Sequence, residues 1–134
     1  MRAYALLAAL LLAAPAAAAA APKSPAARLA TALQGRTPGP PTDCIHLRDI
    51  RSSRIIDGIG ILYETSGGTY YLNKPDSGAQ ALRWNTILVT DTRSAQLCSI
   101  DIVRLYDTAS RMQAGFVGLG KFVPYARPAK AAQQ

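Results

Sequence analysis

Two cysteines, Cys44 and Cys98, constrain this chain more than any other feature. An even pair in an exported chain reads first as a disulfide. A bridge closing residues 44 to 98 removes enough freedom from the unfolded chain to contribute about 4 kcal/mol. The foldable part is only about 85 residues, a size at which such a cross-link is comparable with the whole stability. The competing use of the sulfurs is a metal site. Cys44, His46 and Cys98 with Asp43 or Asp49 offer suitable atoms, but no C-x-x-C or H-x-x-x-H spacing supports one.

Export is expected from residues 1–21, which read as a signal peptide. Arg2 supplies the positive start, Ala3 to Ala14 is an apolar run of the right length, Pro15 breaks it, and an alanine tract follows. Cleavage is expected between Ala18 and Ala21. The run is too short to cross a ~30 Å hydrocarbon core permanently, so the mature form should have no transmembrane segment. No cysteine follows the run to carry a lipid. The expected location is the periplasm of a Gram-negative-type envelope, or outside the cell.

Charge narrows the partners. The chain has 15 Lys and Arg against 8 Asp and Glu, and the leader takes away Arg2 alone, leaving about +6. Export argues against nucleic acid as the partner of so basic a chain. It favours an anionic envelope component such as lipopolysaccharide phosphates, acidic glycans or a phospholipid surface, or another envelope protein.

Along the chain, 22–42 reads as an Ala/Pro-rich tether containing one short helix. Ser24 suits the N-cap, Pro25 the first helical position and Gly35 the C′ position. Leu29, Ala32 and Leu33 would share a face. A helix this short is marginal unless it docks. Thr37-Pro-Gly-Pro-Pro41 cannot be helical, so the β-rich domain is expected over 43–127, with a tail at 128–134.

Within that domain the period becomes two. Ile59, Ile61 and Tyr63 alternate, and Ser66-Gly-Gly-Thr69 suits a hairpin turn. With Gly67-Gly68 as the turn, Tyr63 would face Leu72, and Ile59, Ile61, Tyr63, Tyr70 and Leu72 would point to the core. Thr86 to Asp91 would pair with Gln96 to Ile100, an earlier strand would include Arg54 to Ile56, and a last one would run from Phe116 to Pro124. Asp101 to Tyr106 leans to strand. The expected fold is mainly β: a small antiparallel sheet of five or six strands curled into a barrel or sandwich.

Candidate sites are sparse. Gly115 to Lys121 matches G-x-x-x-x-G-K, but Phe122 replaces the hydroxyl residue and Pro124 forbids the following helix, so the glycines read as strand bends. His46 is the lone histidine, and no Gly-x-Ser-x-Gly elbow is present. Asp57 and Glu64 have no fixed separation. No catalytic residue, metal or cofactor is assigned; a small metal protein or hydrolase using His46 is the alternative. Arg48, Arg51 and Arg54 are the concentrated charge, read as an anion-binding patch against the plainer reading of a solvated, locally paired face. Trp84, Tyr70, Tyr71 and Tyr125 form a sugar-stacking platform or belong to the core. An inhibitor or accessory subunit would instead expose an apolar patch.

The stretch Cys44-Ile-His-Leu-Arg-Asp-Ile-Arg-Ser-Ser-Arg-Ile-Ile-Asp57, with Gly68-Thr-Tyr-Tyr-Leu-Asn73, Gln96-Leu-Cys98 and Gly118-Leu-Gly-Lys-Phe-Val-Pro124, resembles a family of small, signal-peptide-bearing proteobacterial proteins of unknown function. The similarity covers roughly residues 43–127. Family members often carry two further cysteines, after the first hairpin and before the Leu-Gly-x-Phe motif; both are missing here. The resemblance implies export, a β-rich fold and two independent bridges, leaving Cys44 with Cys98. It transfers no catalytic residue.

Overall fold

A computed structural model describes residues 18–128. Residues 1–17 of the expected leader and 129–134 of the expected tail lie outside the described residues. One helix, α1 (Pro25–Ala32), precedes ten short strands: β1 (Thr37–Pro38), β2 (Cys44–His46), β3 (Ile50–Ile56), β4 (Gly60–Thr65), β5 (Tyr70–Asn73), β6 (Thr86–Thr90), β7 (Gln96–Cys98), β8 (Ile102–Asp107), β9 (Gln113–Gly118) and β10 (Phe122–Ala126). The fold is mainly β and antiparallel, as expected, with more and shorter strands than the five or six anticipated. A five-stranded sheet has the order β1-β10-β5-β4-β3, a three-stranded sheet the order β6-β8-β9, and β2 pairs with β7. The arrangement is sandwich-like and does not close into a barrel.

Strand alternation builds the core between the sheets. Ile61, Tyr63 and Phe122 enter from the larger sheet, Val103, Leu105 and Val117 from the smaller one. Ile45 and Leu97, opposite each other in the β2–β7 ladder, come from a third side. That ladder also sets Cys44 directly opposite Cys98, and the two are disulfide-bonded. Asn73, fully buried, donates from Nδ2 to the Gly120 carbonyl at 2.6 Å and accepts from the Gly120 N–H at 3.1 Å. One side chain thus ties the end of β5 to the bend between β9 and β10.

The first hairpin differs from expectation by one residue. Thr65 donates from both its N–H and its hydroxyl to the Thr69 carbonyl, closing a three-residue loop with Gly68 at φ +84. Tyr63 therefore faces Tyr71, and Leu62 faces Leu72. The shift exchanges the faces of β5: Tyr71 packs at the core, while Tyr70 and Leu72 look the other way. Two further pairings are also corrected. β6 pairs with β8, not β7, because β8 sets Leu105 opposite Leu88 and Tyr106 opposite Ile87, while β7 is held by the bridge to β2. The last strand is two strands, and β10 continues through Pro124 to Ala126. Pro124 is tolerated because its carbonyl, and hence its missing N–H, faces only the short β1, where Gly39 donates to it at 2.8 Å.

Residues 25–42 belong to the fold and are not a free tether. Ser24 caps α1, accepting from the Ala27 N–H at 3.2 Å. Pro25, Arg28, Leu29, Ala32 and Leu33 are half-buried at helical spacing, and α1 packs on β3. It lies on the outer side of the larger sheet, where alternation leaves Ile56, Leu62 and Leu72 buried away from the main core. After Gly35 in the left-handed conformation, β1 pairs with β10, and Thr42 exchanges two backbone hydrogen bonds with Phe122. Among the described residues no helix is long and apolar enough to cross a membrane.

Candidate functional site

The expected arginine trio does not assemble. Arg48 sits on the 3-10 turn Leu47–Asp49, 3.8 Å from the Asp49 carboxylate. Arg54 donates to Glu64 at 2.6 Å across the β3–β4 ladder. Only Arg51 is without a carboxylate partner among the described residues. The β3–β4 register shifts between Ile50 and Ser52, leaving Arg51 at a bulge of this edge strand, exposed like Ser52, Ser53 and Arg54 after it.

Arg51 instead joins Arg36, from the segment first read as tether, and Arg127, the last residue of the expected domain. Arg36, Arg51 and Arg127 line a cleft of about 370 Å³ together with Ser52, Ser66 and Tyr70. Its floor includes one cross-sheet row on the outer face, Tyr70–Glu64–Ser52, set by the registers of β5, β4 and β3. The Arg36 guanidinium lies 3.4 Å from the Tyr70 ring centroid and donates to the Gly68 carbonyl at 2.7 Å. The hairpin loop and the ring therefore fix this guanidinium while leaving several of its five donors unused. Arg127 lies against Gly68, whose positive φ favours glycine. Glu64 belongs to the row but is already paired with Arg54. The net field of the cleft is positive, with the Ser52 and Ser66 hydroxyls as further donors. Such a set matches phosphate or carboxylate oxygens.

The remaining candidates are dispersed. His46 is exposed on β2, and its neighbouring sulfurs are joined in the disulfide and cannot ligate metal. No group of three or more His, Cys, Asp or Glu side chains suited to a metal occurs among the described residues. Asp57 Oδ1 lies 3.5 Å from Arg28 Nη1 without an aligned hydrogen bond, and Glu64 faces Arg54. The two carboxylates thus sit in separate ion pairs. Gly115 to Lys121 runs from β9 through a bend into β10. The aromatic platform does not form: Tyr70 and Tyr71 point to opposite faces, and Trp84 is 77% exposed beside a different cleft, so it is not core either.

Arg36 and Arg127 escaped the sequence reading because long-range pairing places them, and neither carries a local signal. The available hint was Gly35 beside Arg36, marking a deliberate turn of the chain after the helix. Comparison with known proteins supplies no relative: no family model, no curated protein and no solved structure matches the chain.

Proposed function

We propose that this protein is an exported, non-enzymatic envelope module that holds an anionic envelope component in the Arg36–Arg51–Arg127 cleft. The ligand chemistry is a phosphate or carboxylate carried on a lipopolysaccharide, an acidic glycan or a phospholipid surface. One observation carries the reading: three arginines from three separate segments line one cleft, and none of them forms an ion pair among the described residues. The disulfide is in keeping with an oxidising compartment. Periplasmic or secreted location, and membership of the signal-peptide-bearing family resembled above, belong to the same proposal.

The test is equilibrium binding of the mature protein to lipopolysaccharide, to phosphatidylglycerol vesicles and to phosphatidylcholine vesicles, at low and high salt. Binding should occur with at least one anionic partner, weaken with salt, and be absent with phosphatidylcholine. Arg51→Glu should weaken it about tenfold or more, the scale of one charge-assisted hydrogen bond. Binding unaffected by Arg51→Glu and by Arg127→Glu, or no binding to any anionic partner, sinks the proposal.

A further inference from the structure

The free edges of the two larger sheets are protected unequally. β1 has only two residues, one of them Pro38. β3 carries Arg51 and Arg54 and is bulged. β9 is bulged opposite Leu105 and Tyr106, and the Ser77–Ala81 segment lies against it through the Ser77–Gly118 bridge. Short edges, charges, proline and bulges are the devices that stop strands from adding to a sheet. β6 has none of them. It reads Thr86-Ile-Leu-Val-Thr90, paired on one side with β8, with its other side opening on a cleft of about 410 Å³ toward β3. The sheet it borders also shows an apolar outer face: Ile87, Ile102 and Phe116 are 52%, 60% and 58% exposed.

We infer that β6 is a self-association edge, occupied by β6 of a second copy of this chain running antiparallel across a two-fold axis. The strand is a chemical palindrome about Leu88. Setting Leu88 opposite Leu88 of the second copy places Ile87 opposite its Val89 and Thr86 opposite its Thr90. β-branched pairs and threonine pairs are favourable cross-strand combinations. A two-fold contact demands this kind of self-match; a strand from a foreign protein does not. Charge points the same way. A chain of net charge +7 repels its own copy, yet β6 is uncharged, and the arginines beside it are paired: Arg28 and Arg54, which line the cleft, with Asp57 and Glu64, and Arg104 on β8 with Asp91. The contact would join two three-stranded sheets into one of six, extending the apolar face across the axis.

Sedimentation equilibrium of the disulfide-intact protein over a dilution series tests this. The protein should form a reversible dimer. Ile87→Lys removes both Ile87–Val89 pairs and should weaken the dimer about tenfold or more. Ile102→Lys, exposed on the same face but away from the edge, should change it less than about twofold. Register is tested separately: a mixture of Ile87→Cys and Val89→Cys proteins should cross-link on mild oxidation more than either protein alone. A chain monomeric at every concentration overturns the inference, capture of a different protein's strand being one form of that result. So does a dimer disrupted by Ile102→Lys and not by Ile87→Lys, or a mixture with no excess of cross-link.

Discussion

Replacing both Cys44 and Cys98 with serine should remove about 4 kcal/mol of stability, and the structure says where that figure originates. The bond joins positions separated by 54 residues, so the oxidised unfolded chain is confined to a large closed loop. Loop-closure entropy for that length corresponds to about 4 kcal/mol. Little native-state change offsets or adds to it. Both residues are half-buried, so serine hydroxyls there can reach solvent, and Ile45 and Leu97 keep their core positions at 5% and 1% exposure. The remaining β2–β7 ladder is three residues long on each side and has little strength of its own. Urea unfolding of the oxidised protein and the double variant measures the difference. At slopes of ~1–2 kcal/mol/M the midpoint should fall by about 2 M or more, with a slightly steeper slope in the variant as its denatured state expands. A loss under about 1 kcal/mol refutes the entropic account.

Three other outcomes follow from single side chains. Asn73→Ala strands the Gly120 N–H and carbonyl inside the protein and should cost about 3 kcal/mol in urea unfolding, whereas a surface change such as Gln80→Ala should cost less than about 0.5. The Tyr63 hydroxyl is buried with no hydrogen-bond partner among the described residues, so Tyr63→Phe should raise stability by about 1 kcal/mol. Burial also pushes the Tyr63 phenol above its ordinary value near ~10, so keeping it neutral costs no stability below that pH but lowers stability as pH rises beyond it, and Tyr63→Phe should flatten this alkaline fall. The Ser110 backbone N–H and then the Ser110 hydroxyl, with the Ala109 N–H and the Asn85 amide adding less, hold the Asp107 carboxyl below the usual carboxylate range against an opposing desolvation effect. Its stabilisation of the 107–112 turn is therefore present above about pH 3.9 and disappears as pH falls through the lower folded-state value. A carboxyl carbon NMR titration should place its midpoint below that of an exposed aspartate; an ordinary or raised midpoint contradicts the geometry.

Local chemistry in this chain is legible where neighbouring residues decide it. Ser24 and Pro25 mark the helix start and Ser66 to Thr69 the hairpin, and each occurs where its residue types require. The cysteines were readable because oxidation leaves two sulfurs one partner. Pairing over distance was not. β6 and β7 are close in sequence and bounded by turn residues, yet the better match for Leu88 lies on β8. The hairpin register turned on a single residue, since Gly-Gly serves a two-residue turn as readily as the end of a three-residue loop. The charged cleft was hidden for the same reason. Of the arginine trio only Arg51 reaches it, at a bulge with no distinct sequence signature, and its companions stand at the two ends of the fold.

The binding claim rests on location, and location can be measured directly. An amide NMR titration of isotopically labelled mature protein with inorganic pyrophosphate, repeated with the partner that binds best, reports which residues meet the anion. Shifts should concentrate at Arg36, Arg51, Ser66, Gly68 and Arg127 and vanish in Arg51→Glu. Shifts centred on Arg48 or Arg83, or spread evenly over the basic surface, would contradict the account.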